Sequence, residues 1–332
     1  MSAAAHAMHA AIDVHSHMLC REWLELLKTR GAPRVTVKRI ASGEWIHVDG
    51  VPFMLPQPAM FDYAHRFAAM DAAGVDMAVL SLTGPNVYWG DEAASTHAAE
   101  LINDSFAQAQ RDYPKRIRWM ASLPFEYPRR AIEELARAAD RGAVGVVVLS
   151  NVAGRQLTDE LFVPVWREID RRALPVFLHP TVPCGCTGME VYQLTASVGF
   201  TFDSTLAVAR LIHSGFFDHY PQLKLIVAHG GGTLPFLAPR LDRCFDAYPD
   251  CRTDISTRPS TYLKRLYADS VVYSSGTLRD AIDTFGDDHL LFGTDFPHSI
   301  ADMPGTLARI NELAAVLRDK VRGANAAQVF KL

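Results

Sequence analysis

A (β/α)8 TIM barrel in a single domain, residues 1–332, is the fold class that the sequence predicts. Three observations predict it. Apolar strands alternate with amphipathic helices along the whole chain. Strands such as AVGVVVL are apolar on both faces, as in a parallel sheet buried on both sides. Eight strand–helix units also follow one another with no obvious reversal of order, which favours a closed barrel over the alternative, a doubly wound open sheet.

The individual elements follow from local patterns. Short apolar runs predict strands at 11–17, 76–82, 116–124, 143–150, 175–180, 223–231, 266–275 and 289–298. Amphipathic spacing predicts helices at 60–74, 92–113, 128–142, 161–173, 202–214, 235–248, 278–286 and 305–318. Gly74 and Gly142 stand at two helix ends, where glycine is favoured.

One segment interrupts this alternation. Residues 34–55 contain two β-like runs and an Asp-Gly pair at 49–50, which predicts a hairpin. The hairpin belongs to an insertion, residues 20–58, that follows the first strand on the side where barrels build active sites. We interpret the insertion as a lid over the pocket; the alternative is a hairpin with no role at the site.

Composition excludes several classes of function. The 33 basic and 37 acidic residues give a net charge of -4, without the basic surplus of a nucleic-acid-binding protein. No run approaches the roughly 18 apolar residues of a membrane-spanning helix. The first ten residues lack the basic and apolar regions of a secretion signal. Five cysteines, an odd number in a long chain, argue against a disulfide framework and predict a cytoplasmic location.

Polar residues stand at the carboxyl ends of four predicted strands, the place where barrels carry catalytic groups. They are His15 and His17, His179, His229 and Asp295. Each alone fits a structural histidine or a turn-capping aspartate. Three of these histidines together with Asp295 would be costly to bury at one mouth without a partner, and they suit one divalent ion with an open position. We predict Zn²⁺, with Mn²⁺ as the alternative.

His229 is left over if His15, His17, His179 and Asp295 fill the ligand set. A neutral histidine beside a metal can act as a general acid or base. The alternative is a fifth ligand in a two-metal site, but such a site needs a bridging carboxylate or modified lysine after the fourth strand, which ends VLSN. A single metal is therefore favoured. The glycines after His229 are expected to let the backbone pass close to a ligand.

Taken together, these motifs resemble the amidohydrolase superfamily, and more closely its branch around 2-amino-3-carboxymuconate-6-semialdehyde decarboxylase. The same branch holds γ-resorcylate and 5-carboxyvanillate decarboxylases. The resemblance covers nearly the whole chain and is carried by IDVHSH, MDAAGVDMAVLS, PVFLHP, LKLIVAHGGGTLPFLAPRLDR and HLLFGTDFPHS.

The resemblance implies a metal held by His15, His17, His179 and Asp295, with His229 as the catalytic histidine. It also implies that Arg240, in APRLDR, reaches a substrate carboxylate across a homodimer. Bidentate pairing with a carboxylate suits arginine. The alternative is a surface arginine paired with Asp242 or Asp246.

The chain departs from the family in its hairpin, which in the family supplies a second arginine to the substrate. Here that region reads GVPFMLPQ, and the nearest cations are Arg34, Lys38 and Arg39. The resemblance therefore does not imply that the semialdehyde is the substrate of this chain.

The expected reaction is non-oxidative decarboxylation of a small unsaturated or aromatic carboxylic acid, with His229 and Asp295 handling protons and Arg240 orienting the acid. The alternative is hydrolysis or hydration of an amide, ester or lactone at the same site.

Overall fold

Eight parallel strands form one sheet in a computed structural model that describes residues 10–41 and 43–332. In sheet order, which is also chain order, they are Ile12–His17, Met77–Ser81, Ile117–Ser122, Gly145–Leu149, Pro175–His179, Lys224–Val227, Tyr267–Asp269 and Leu290–Leu291. The prediction that the first ten residues are not a secretion signal concerns residues of which all but Ala10 lie outside the described part of the chain. The (β/α)8 prediction is confirmed.

The sheet closes through the stretch that follows the two-residue eighth strand. The backbone N–H of Val14 donates to the carbonyl of Phe292 at 2.9 Å, and that of His17 donates to the carbonyl of Phe296 at 2.7 Å. In return, the carbonyl of His15 accepts from the backbone N–H of Asp295 at 2.8 Å. The first strand and the residues after the eighth therefore form the seam of the barrel.

Helices surround the sheet. They span Arg21–Arg30, Tyr63–Ala73, Glu92–Asp112, Pro128–Asp140, Val163–Arg171, Phe200–His213, Phe216–His219, Leu234–Ala247, Pro259–Leu263, Ser275–Phe285, Met303–Asn311, Ala315–Asp319 and Asn325–Phe330, with a short kinked turn at Ala228–Gly231. Single turns of 3₁₀ or π geometry lie at Pro58–Met60, Glu160–Phe162, Thr195–Gly199, Pro249–Arg252 and Lys320–Ala324. Among the described residues, no helix has the length and apolar character to cross a membrane.

The predicted helix at 60–74 ends as expected, because Gly74 adopts a left-handed conformation with φ of 77°. The predicted helix at 305–318 is instead two helices, Met303–Asn311 and Ala315–Asp319. The helix Arg21–Arg30, inside the insertion, was not predicted.

The core has two parts. A large apolar layer lies between the sheet and the helices, and a smaller cluster fills the barrel interior, with members such as Val14, Val147 and Phe177. Val329 and Phe330 of the last helix join this inner cluster, close to the amino end of the fourth strand. That end of the barrel is thus closed with apolar side chains, and the polar residues gather at the opposite mouth.

The insertion folds into a helix and a three-stranded antiparallel sheet, Val35–Ile40, Gly43–Val48 and Val51–Met54. The predicted turn at 49–50 is confirmed: Asp49 and Gly50 both have positive φ, 49° and 89°, as a tight two-residue hairpin requires. A second small hairpin pairs Asn151–Val152 with Arg155–Gln156.

Candidate metal centre

Four buried side chains meet at the mouth of the barrel. His15, His17, His179 and Asp295 each offer one donor atom, and these atoms all lie within 4.8 Å of one another. The first strand supplies His15 and His17 on one face, because residues two apart on a strand point the same way. The fifth strand supplies His179. Asp295 follows the short eighth strand in a left-handed conformation, φ of 61°, anchored by its hydrogen bond to His15.

The hydrogen bonds made by the outer ring nitrogens orient the three imidazoles. Nδ1 of His15 bonds to Asp269 Oδ2 at 2.6 Å, Nδ1 of His17 to the Ser81 carbonyl at 3.2 Å and Nδ1 of His179 to the Pro180 carbonyl at 2.8 Å. Each partner is an acceptor, so each Nδ1 carries the proton and each Nε2 keeps its lone pair.

The lone pairs therefore face one another. Nε2 of His15 lies 3.1 Å from Nε2 of His17, and Asp295 Oδ1 lies 3.2 Å from both. That carboxylate oxygen is buried and accepts no hydrogen bond. Three nitrogen lone pairs and an anionic oxygen at this spacing repel each other unless a cation lies between them. The donor set fits one divalent metal ion.

The pKa of His15 reflects the negative potential of the neighbouring carboxylates. Burial alone would lower the pKa of His15, but Asp295 and Asp269 outweigh burial and raise it to about 10. Burial lowers the pKa of His17 to about 3, which keeps that ring neutral. His15 would have to give up its added proton for a divalent ion to bind at its Nε2.

His229 lies beside this cluster at the end of the sixth strand. Its Nε2 is 3.7 Å from Asp295 Oδ2, and its buried Nδ1 has no hydrogen-bond partner. The ring centroid of His229 is 5.0 Å from that of His15. The structure thus places all five predicted histidine and aspartate residues together, with His229 outside the set of four.

The glycine run after His229 serves packing inside the protein. A Cβ on Gly230 would lie 2.4 Å from Val272, one on Gly231 would lie 2.4 Å from Phe285, and one on Gly232 would lie 2.6 Å from the Thr201 carbonyl. Glycine is thus required at these positions by the neighbouring elements, and the expectation that the backbone passes close to a ligand stays a prediction. All three glycines also have positive φ.

Asp269 is the main site residue that the sequence reasoning missed. It ends the seventh strand, is fully buried, binds His15, and accepts the backbone N–H groups of His229 at 3.1 Å and Gly230 at 3.0 Å. One carboxylate therefore positions both a metal donor and the neighbouring histidine. The signal was available, since Asp269 stands at a strand end like the other site residues.

A second layer supports the first strand. The buried guanidinium of Arg66 donates to Ser16 Oγ and to the His17 carbonyl. On the other side, buried Asp13 accepts from Thr294 Oγ1 at 2.6 Å and from the backbone N–H of His15 at 3.1 Å. These bonds fix the strand that carries two of the four donors. No sequence motif indicated Arg66, because its partners are distant in the chain.

Arg240 is exposed on the helix Leu234–Ala247. Within the described part of the chain it makes no hydrogen bond or ion pair, and the alternative of pairing with Asp242 or Asp246 is not observed. Asp246 instead pairs with Arg258 at 2.9 Å, and Asp242 accepts from Ser260.

His298 lies beside the four donor residues. Its Nε2 is 3.1 Å from Thr83 Oγ1, and its ring centroid is 5.1 Å from that of His17.

Comparisons with known proteins agree with this geometry. A protein-family model described as amidohydrolase matches residues 12–332. The 2-amino-3-carboxymuconate-6-semialdehyde decarboxylase of Dictyostelium discoideum is 30% identical over 97% of this chain and 91% of its own length. A γ-resorcylate decarboxylase of a Rhizobium species is 31% identical over 80% of this chain and 86% of its own length.

A solved structure is also similar. A variant of the 5-carboxyvanillate decarboxylase of Novosphingobium aromaticivorans, crystallised with manganese and 3-methoxy-4-hydroxy-5-nitrobenzoic acid, superimposes with a TM-score of 0.84. The two chains are 25% identical, and the match covers 98% of this chain and 97% of the other.

Proposed function

Because the chain belongs to the amidohydrolase family, we propose that its metal centre serves the non-oxidative decarboxylation of a small aromatic carboxylic acid. The chain is an enzyme, a carbon–carbon lyase, as are the decarboxylases to which it is similar. Hydrolysis or hydration at the same donors was the alternative, and the relatives favour the lyase. The observation that carries the proposal is the convergence of four buried donors with His229 alongside.

We assign the metal ligands to His15, His17, His179 and Asp295. A bound divalent ion would hold and polarise the oxygen atoms of the acid. Three imidazoles and one carboxylate suit both Zn²⁺ and Mn²⁺. Zinc was the first expectation, and the manganese in the similar carboxyvanillate decarboxylase supports Mn²⁺ as an equal candidate.

His229 and Asp295 are the groups that would handle protons. In the reaction the bond between the ring carbon and the carboxylate breaks, its electron pair stays on the carbon, and a proton takes the place of the departing CO₂. His229 Nε2 and Asp295 Oδ2 lie 3.7 Å apart at the mouth, so a proton can pass between them and a substrate carbon held there. The rigid turn that holds His229 fixes the direction of transfer.

We also propose that Arg240 binds the substrate carboxylate of a second copy of the chain in a homodimer. Arg240 is exposed and unpaired among the described residues, on a helix that also exposes 85% of Phe236. The neighbouring helix Phe200–His213 exposes 56% of Phe202 and 51% of Leu206. A surface of large apolar side chains is typical of an interface between subunits.

We also propose that the enzyme is located in the cytoplasm, because its five cysteines are free.

Release of CO₂ tests the proposal. The purified chain, loaded with Mn²⁺ or Zn²⁺, is offered γ-resorcylate, 5-carboxyvanillate and the muconate semialdehyde beside a panel of lactones and esters. We expect CO₂ from at least one acid. Hydrolysis of the panel without CO₂ from any acid would contradict the proposal.

The variant His229→Ala serves as the control for the division of roles. It should keep the metal, because His229 lies outside the four donors, and should lose turnover by about 10²-fold or more, as expected when a general acid–base group is removed. Loss of the metal in this variant would show that His229 is a ligand.

A further inference from the structure

A short series of aromatic rings connects the inserted hairpin with the metal centre. Phe53 lies on the hairpin strand Val51–Met54, and its ring centroid is 5.6 Å from that of Phe200. The ring of Phe200 is in turn 6.5 Å from that of His179. Phe53 and Phe200 are both half-buried. The hairpin thus presents an aromatic side chain toward the donor cluster.

The tip of the Phe53 ring lies against a glycine. A Cβ on Gly84, in the loop after the second strand, would lie 2.3 Å from Cζ of Phe53. Only a residue without a side chain leaves room for the ring here. The second and fifth strands are separated by two others in the sheet. Phe53 therefore spans the mouth, from the loop after one strand to the helix after another.

The two arginines of the hairpin are bound elsewhere. Arg34 makes hydrogen bonds of 3.1 and 2.7 Å to the two carboxylate oxygens of Asp49 and donates to the Tyr88 carbonyl at 2.8 Å. Arg39 pairs with Glu44 and is 80% exposed. Neither arginine is therefore free to bind a second carboxylate, and Lys38, the third cation of the hairpin, is exposed on the strand Val35–Ile40.

We propose that Phe53 is a specificity-determining residue, which packs against the flat ring of an aromatic monocarboxylic acid held at the metal centre. The inference rests on the proposed function and narrows its substrate class. Aromatic rings attract each other in offset or edge-to-face contact. A carboxylate placed against Phe53 would be buried there without a hydrogen bond from either hairpin arginine, so acids that carry a second carboxylate at this position are disfavoured.

A binding titration tests the assignment without turnover. The probe is 2-nitroresorcinol, a nitrophenol that absorbs visible light and carries a single carboxylate-like group, added to the Mn²⁺-loaded full chain. We expect Phe53→Leu to weaken binding about tenfold while manganese content stays unchanged. The matched control is Phe67→Leu. Phe67 is also half-buried, but it packs on Tyr113 and Arg116, so its loss should leave probe affinity within twofold.

A second variant displaces the same ring without removing it. Gly84→Ala pushes the Phe53 ring aside and should weaken the probe as Phe53→Leu does. In the Phe53→Leu background the same change should add less than twofold, because the obstructed ring is gone. In assays with an acid that the enzyme decarboxylates, Phe53→Leu and Gly84→Ala should each raise KM and change kcat little.

Three outcomes would overturn the assignment. The unchanged chain does not bind the probe, or both single variants bind it with an affinity within twofold of that of the unchanged chain. The third is that the dicarboxylic acid cis,cis-muconate displaces the probe with an affinity equal to that of the probe. Failure of the proposed function looks different. In that case the unchanged chain binds the probe and responds to both variants, yet releases CO₂ from no acid.

Discussion

Asp269 shows how one residue can organise the site without binding metal or substrate. Its carboxylate accepts from the His15 ring on one side and from the backbone of His229 and Gly230 on the other. Burial alone would raise the pKa of Asp269, but His15 outweighs burial and lowers it, so the group stays ionised. An anionic acceptor on Nδ1 raises the basicity of Nε2, the nitrogen that faces His17 and Asp295.

At the residue scale, we therefore predict that Asp269→Asn weakens metal binding by about 10- to 100-fold. The amide keeps the shape but loses the charge that supports His15. Competition with a metal indicator measures the affinity. Asp203→Asn is the matched control, because Asp203 is also a buried carboxylate but does not contact a donor residue. Equal affinity in Asp269→Asn and the unchanged chain would contradict the prediction.

The sequence was sufficient to name the five residues at strand ends, because their position depends only on where each strand stops. It was not sufficient for Arg66 or Thr83. Arg66 reaches Ser16 from a helix 50 residues away, and Thr83 meets His298 across 215 residues. Such pairs depend on the closed barrel, which no local pattern encodes.

At the scale of elements, most predicted strands and helices are confirmed, and the exceptions have local causes. The eighth strand was expected over 289–298 but spans only Leu290–Leu291. Its continuation leaves strand geometry because Asp295 has a positive φ and binds back to His15. The seventh is also short, Tyr267–Asp269, since Asp269 turns to accept backbone N–H groups.

The turn after the sixth strand gives a test at this scale. Gly230→Ala combines a positive φ of 64° with a contact of 2.4 Å to Val272. We expect it to destabilise the protein by about 2 kcal/mol or more and to displace His229, lowering turnover. The control Gly74→Ala has a similar φ of 77° with open space around it, so it should cost only about 1 kcal/mol. Thermal unfolding compares the two, and an equal loss would show that packing around Gly230 is unimportant.

The start of the helix Phe200–His213 carries a pH-dependent contribution to stability. Burial raises the pKa of Asp203 from 3.8 to about 6, against hydrogen bonds from Ser150, Thr181 and Asn151 that lower it. A carboxyl group whose pKa is higher in the folded than in the unfolded protein stabilises the folded state. This stabilisation is complete at pH values below the pKa of the unfolded state. That stabilisation is lost as the pH rises through the folded value, here between about 4 and 6.

We therefore predict that the stability of the unchanged chain relative to Asp203→Asn falls by about 2 kcal/mol from pH 4 to pH 7. Urea unfolding of both proteins across this range measures the difference. Asp302→Asn is the control, since Asp302 lies at a solvent-accessible helix start. A stability difference that does not change with pH would contradict the assignment of the titrating group to Asp203.

At the scale of the whole molecule, the metal should contribute to stability, because its donors come from distant parts of the chain and repel each other when it is absent. At a metal concentration 100 to 1,000 times its dissociation constant, binding stabilises by about 3 to 4 kcal/mol. We predict that chelation lowers the melting temperature by about 5 °C or more and that Mn²⁺ restores it. In His17→Ala, chelation should have no further effect; an equal drop there would place the stabilising metal elsewhere.

The seam of the barrel has a consequence for how the enzyme is made. A ribosome delivers the donors in the order His15, His17, His179 and Asp295, so the last arrives 280 residues after the first. Asp295 is also one of the residues whose backbone closes the barrel against the first strand. Completion of the proposed metal centre and closure of the barrel are thus one event. A nascent enzyme truncated before this point has neither a finished barrel nor a full set of ligands.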